Sequence, residues 1–146
     1  MPESNIDRFN EVTGKIFASL YCAFPVPIDI HLRDFIDGEV LVQDDETLTG
    51  YDMSEGALFV DSTVKWLANA DFIQIGDNGF ESFYSVVLTP KGLECLKRTP
   101  DSLSAPGGSP ISEAVKAGSK EALKMLANQV LSIGMKIAAQ KMGMPV

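Results

Sequence analysis

The sequence predicts an α+β chain with a domain over residues 1–100, a linker over 101–110 and an amphipathic helix over 111–146. Three observations predict it. Apolar residues recur at helical spacing in separate stretches, one strand–turn–strand pattern lies between residues 72 and 88, and a block of Ser, Ala, Pro and Gly interrupts the chain at 103–110. With 146 residues, 45% of them hydrophobic and 22% charged, the chain can build one ordinary core.

The elements follow in order. Ser4-Asn5-Ile6-Asp7 has the form of a capping box, and the helix it opens carries Ile6, Phe9, Val12, Ile16, Phe17, Leu20, Tyr21 and Phe24 at spacings of three and four. Pro25 and Pro27 end it, and a shorter helix is predicted over 28–36. Residues 37–54 form an acidic connection without a single Lys or Arg, read as a solvated loop with a short strand at 40–42. The helical period returns over 54–71 through Leu58, Phe59, Val64, Trp66, Leu67 and Ala70. Ser62-Thr63 leave open whether this is one helix or two. Trp66 reads first as a core residue and second as an exposed anchor. Residues 72–75 and 80–88 flank the turn signal Gly76-Asp77-Asn78-Gly79 and predict a β-hairpin. Thr89-Pro90 then begins a helix as N-cap and first helical residue.

The order helix, helix, helix, hairpin, helix, together with two stretches, resembles the winged-helix regulators of the MarR and PadR types over residues 5–98. The stretches are Asp61-Ser62-Thr63-Val64-Lys65-Trp66-Leu67-Ala68-Asn69-Ala70-Asp71-Phe72-Ile73 and Val87-Leu88-Thr89-Pro90-Lys91-Gly92-Leu93-Glu94. The resemblance implies a winged-helix domain: three helices, a hairpin wing and an exit helix. It also implies DNA binding, for which the candidate contacts are Ser62, Thr63, Lys65, Asn69 and Lys91. The sequence departs from the pattern where DNA contact needs it most. The acidic segment replaces a tight turn before the recognition helix, Lys65 is that helix's only base, and the wing tip has no Lys or Arg.

Charge sharpens the contrast. Residues 1–100 hold seven bases against seventeen acids, a net of −10, and residues 101–146 hold five lysines against three acids, a net of +2. Phosphate neutralisation supplies most nonspecific DNA affinity, and a domain this acidic repels a duplex. The leading reading is therefore a non-catalytic interaction or regulatory module that binds a protein partner, a basic one suiting it best, through an acidic surface. DNA-binding transcriptional regulation is the runner-up. Candidate partner-surface residues are Asp44, Asp45 and Glu46 in the acidic segment and Phe80 and Phe83 in the hairpin, whose neighbours on a strand point to opposite faces.

In the tail, Leu123, Leu126, Val130, Ile133 and Ile137 step 3, 4, 3, 4, the spacing of a short coiled-coil seam. Self-association into a homo-oligomer is the first expectation for them, packing on the domain the second and an anionic membrane surface the third. Nothing in the sequence reads as a secretory signal or a membrane span. The two cysteines, Cys22 and Cys95, read as reduced thiols, and the expected location is cytoplasmic. No catalytic residue, cofactor or metal site is expected, since His31 is the single histidine and no phosphate loop or nucleophile motif occurs.

Overall fold

The computed structural model describes residues 4–98 and 120–141; the linker and the first residues of the tail lie outside them. Each capping signal works as its chemistry requires. The Ser4 hydroxyl accepts from the Asp7 amide at 3.1 Å and opens α1 (Asn5–Ala23). At the other end of the domain, the Thr89 hydroxyl accepts from the Gly92 amide at 3.0 Å, with Pro90 leading α3 (Pro90–Lys97). Between them lies α2 (Glu55–Asn69), capped by Ser54 and unbroken at Ser62-Thr63. There the Thr63 hydroxyl donates back to the Phe59 carbonyl at 2.9 Å instead of capping a new helix.

The helix predicted over 28–36 is not there. Residues Ile28–His31 form the strand β1, followed by a single 3-10 turn at Leu32–Phe35. Ile-Asp-Ile-His alternates with the period of a strand, and the partner that uses it is more than fifty residues away. The acidic segment is also more ordered than a loop. Its strands β2 (Leu41–Gln43) and β3 (Tyr51–Met53) pair antiparallel as a second, two-stranded sheet.

The main sheet is organised by β6 (Ser82–Leu88). β1 pairs with it antiparallel, β4 (Ile73–Gln74) pairs with its far end, and β5 (Asp77–Asn78) pairs with Tyr84 and Phe83. The predicted hairpin is thus present, its return strand beginning at Ser82. The β1–β6 register shifts between Ile28 and Ile30, opposite Ser85, whose backbone is left-handed at φ +54° and whose amide donates to the Asp29 carboxylate at 3.1 Å.

Helix α2 ends in a Schellman motif. The Phe72 amide donates to the Leu67 carbonyl at 3.0 Å and the Asp71 amide to the Ala68 carbonyl at 3.1 Å. Asp71 sits at the left-handed position with φ +68°, where glycine is ordinarily preferred. Its carbonyl also accepts from the Thr89 hydroxyl at 2.5 Å, which ties the end of α2 to the start of α3.

One core joins all layers. Ile16, Phe17 and Leu20 of α1 meet Val60, Val64 and Leu67 of α2, Phe83 and Val86 of β6, and Leu126 and Val130 of α4 (Lys120–Lys141). The tail helix is therefore part of the domain, lying along α1 and against α3. Leu123, Leu126, Val130 and Ile137 are buried in that core, and Ile133 is half-buried against it. Self-association through this seam gives way to the fold-back alternative, since a seam between copies would require α4 to leave its own domain. Tethering explains the choice: the apolar face of α4 needs cover, and α1 of the same chain is present at a high effective concentration. Among the described residues no helix is long and apolar enough to cross a membrane.

Helix α4 approaches α1 closely at Gly14. A Cβ there would run into the backbone carbonyl of Leu123, which cannot step aside. On helix propensity alone, Gly14→Ala should stabilise by about 1 kcal/mol. We expect the opposite sign, a loss of about 2 kcal/mol in urea unfolding, because α4 must shift off α1. Asp71→Gly, by contrast, relieves a left-handed backbone at an exposed site and should raise stability by about 0.5–1 kcal/mol in the same measurement.

Candidate docking face

The outward side of α2 carries two large apolar side chains where a nucleic-acid-reading helix needs bases. Leu58 and Trp66 are exposed along it, Trp66 to 48%. The core position expected first for Trp66 is thus corrected: α1, the 3-10 turn and β4 pack against the inner side of α2, and position 66 faces outward beside Ser62, Lys65 and Asn69. One edge of its indole does find a partner. The Phe9 ring stands perpendicular to it at 5.4 Å between centroids.

Phe9 and Trp66 belong to an open groove between the N-terminal half of α1 and α2. Ile6, 68% exposed, forms one lip, and Phe59 lies between the helices. The groove holds about 430 Å³ and is lined by Asn5, Ile6, Phe9, Phe59, Ser62, Thr63 and Trp66, with no charged side chain. Ile6 and Phe9 precede the point where α4 meets α1, which is marked by the Lys120–Glu11 pair at 3.9 Å.

A second, larger cleft of about 860 Å³ opens beside the groove and shares Phe59 with it. Its floor is apolar, with Val12, Phe35, Ile36 and Val60. Its walls carry four carboxylates, Glu11, Asp37, Glu39 and Glu55, against two bases, Arg8 and Lys120. Arg8 stands at the boundary, its guanidinium 4.2 Å above the Phe59 ring and 3.8 Å from the Glu55 carboxylate. These two ion pairs between described residues, Arg8–Glu55 and Lys120–Glu11, are long and partly open to solvent, so each contributes little. Asp37 and Glu39 are exposed and carry no ion pair among the described residues.

The residues singled out for DNA contact are largely committed elsewhere. Thr63 is buried and bonded to its own helix. Lys91 donates to the Ala70 carbonyl at 2.9 Å and lies 4.6 Å over the Phe72 ring, fastening α3 to the end of α2. Lys65 is exposed but paired with Asp61 at 2.9 Å. Ser62 and Asn69 remain on the surface.

Of the residues expected on a protein-binding surface, Phe83 is misassigned. It is 1% exposed, because it lies in the central strand opposite Ile30 and points into the core. Phe80, 60% exposed before the strand begins, and Tyr84, on the other face, are the surface aromatics. Asp44, Asp45 and Glu46 sit in the β2–β3 connection. The Asp44 carboxylate accepts from the Glu46 amide at 3.0 Å and shapes the turn, leaving Asp45 and Glu46 exposed. The structure does not bring these three into the cleft; its acids come from α1, from the residues before β2 and from the start of α2. Ile6 and Phe9 went unnoticed as site residues because they continue the apolar stripe of α1 without a change of spacing.

Elsewhere, His31 and Ser82 face each other across β1 and β6, with Nδ1 2.7 Å from Oγ. That pair satisfies a nearly buried hydroxyl at the mouth of a polar hollow lined by Arg33, Glu39 and Glu81. Compared with known proteins, the chain matches no family model, no curated protein and no solved structure.

The two cysteines differ in environment. Cys22 is exposed on α1, whereas Cys95 is buried in α3. Burial pushes the Cys95 thiol above its ordinary range, outweighing the pull of Lys91 and Arg98 in the other direction. Since the thiolate is the reactive form, we expect one fast-reacting thiol per native chain at about pH 8 and two after denaturation. A raised folded pKa also means that the stability held by the neutral thiol is lost as pH climbs past the unfolded value of about 8.5. Counting thiols with a chromogenic disulfide, native and in urea, checks the first statement, and urea titrations at rising pH check the second.

Proposed function

We propose that the chain is a non-catalytic interaction module, built on a winged-helix-type arrangement, that binds a protein partner through the surface around α1 and α2. Support for the arrangement comes from the run of elements from α2 through the β4–β6 strands into α3, with β1 added to the far side of β6. A helix-turn-helix needs two helices joined by a short turn. Here the place of the first is taken by β1, a 3-10 turn and the β2–β3 hairpin, which removes the scaffold that would seat α2 in a major groove.

The observation that carries the reading is the outer face of α2. It presents Leu58 and Trp66 beside an uncharged groove, while Lys65 and Lys91 are engaged by Asp61 and the Ala70 carbonyl. Aromatic anchors in apolar recesses are what protein interfaces use, and phosphate contacts need free cations. The acidic domain adds a long-range preference for a basic partner.

The test is fluorescence anisotropy of a labelled random-sequence DNA duplex titrated with the full-length protein at low salt. No binding is expected up to about 10 μM protein, where nonspecific DNA binders associate. Salt-sensitive binding that Lys65→Ala weakens would overturn the protein-docking reading and favour the DNA-binding regulator.

A further inference from the structure

The groove and the acidic cleft lie side by side, and together they describe what fits them. One is apolar and uncharged, the other has carboxylates above an apolar floor, and Phe59 lines both. A ligand that covers the pair must be amphipathic along its length. One part enters against Ile6, Phe9 and Trp66, and the adjoining part carries cations toward Asp37, Glu39 and Glu55. We infer that the occupant of this face is a basic amphipathic peptide segment of a partner protein, its apolar anchor against Trp66 and its Lys or Arg side chains in the cleft beyond Arg8. The inference rests on the protein-docking reading and names the chemistry of the partner.

Three observations favour this occupant over others. Desolvating the groove costs little, since its lining holds no charge, and covering Ile6 and Trp66 removes large apolar side chains from water. Among the described residues the cleft carries four carboxylates to two bases, and Asp37 and Glu39 are exposed without an ion pair there, so an incoming cation finds carboxylates to meet. A second copy of the chain is the poorer occupant, because the chain bears a net charge of −8 and would meet itself with like sign. An amphipathic helix laying anchors at i, i+3, i+4 and i+7 into a groove is a recurrent mode of such recognition.

Trp66 is the single tryptophan of the chain, so its emission reports directly on the groove. The experiment titrates the full-length protein with three synthetic peptides of about fourteen residues, long enough for four helical turns. One has Leu and Lys in an amphipathic pattern, one has Glu in place of every Lys, and one has Ser in place of every Leu. The Leu/Lys peptide is expected to shift Trp66 emission to the blue and saturate at one peptide per chain. The Leu/Glu and Ser/Lys peptides are expected to bind at least about tenfold more weakly, a difference of about 1.4 kcal/mol. Ile6→Ser at the apolar end and Glu39→Lys at the acidic end should each weaken the Leu/Lys peptide by about tenfold. Both positions are exposed, and circular dichroism verifies that the variants remain folded.

Equal binding of the Leu/Lys and Leu/Glu peptides, with Ile6→Ser still weakening both, would overturn the basic partner and leave the groove as a protein-docking site. Leu/Lys binding indifferent to both substitutions, or absent altogether, would overturn the inference. Duplex binding through Lys65 in the preceding test would remove the inference and the docking reading together.

Discussion

The crossing of α4 over α1 at Gly14 is the constraint on which the rest of the molecule depends. Because residue 14 has no side chain, the two backbones come close enough for Leu123 and Leu126 to reach the same core as Ile16 and Phe17. Further along, Gly134 plays the same part against the Phe72 ring, where any Cβ would meet the aromatic edge. Phe72 in turn lies 5.8 Å from the Phe17 ring and under the Lys91 ammonium. The tail helix, the central helix, the end of α2 and the start of α3 are thereby clasped around one aromatic pair. The packing is tight enough that a methyl group is felt.

That arrangement also decides what is left uncovered. Helix α1 is enclosed from Glu11 onward by α4, the sheet and α2, while its first turns extend past that enclosure. Among the described residues Ile6 and Phe9 face α2, which offers them Trp66 and Phe59. The groove follows from helix lengths: α1 extends past the described elements that bury it. Cations that a DNA-reading domain would direct outward are instead spent on joints. Lys91 closes α3 onto Ala70, Lys15 donates to the Asp34 carbonyl at 2.6 Å, and Arg8 lies over the Phe59 ring.

Local signals were legible wherever the chemistry was local. Ser4, Thr89 and Pro90 specify helix starts because a hydroxyl and the next few amides settle the matter among themselves. The 72–88 hairpin was legible from its strands, but its turn lay later than the turn residues suggested: Asp77 and Asn78 pair with β6, and the Gly79 amide closes the turn onto the Ser82 carbonyl. The second helix was misread because Ile28-Asp29-Ile30-His31 is too short for its period to speak, and β6, more than fifty residues on, supplied the hydrogen bonds that made it a strand. Phe83 was placed on the surface for a related reason. Alternation along a strand tells that one face is buried, and only the sheet's neighbours tell which. Trp66 and Ile6 lay on apolar stripes indistinguishable from core by spacing. Exposure came from the length mismatch between α1 and its cover.

By itself the sequence determined an α+β chain with capped helices, one well-marked hairpin, an acidic domain and an amphipathic tail, because each of these rests on contacts within a few residues or on charge totals that no fold can alter. Only the tertiary structure decided that the tail's apolar seam closes on its own domain, that Lys91 is engaged within it, and that an apolar groove meets an acidic cleft at Phe59. The physical reason is that an apolar stripe specifies a need for cover without naming the cover. Which side chains meet that need, and which are left facing water, is settled only when distant segments compete for the same surface.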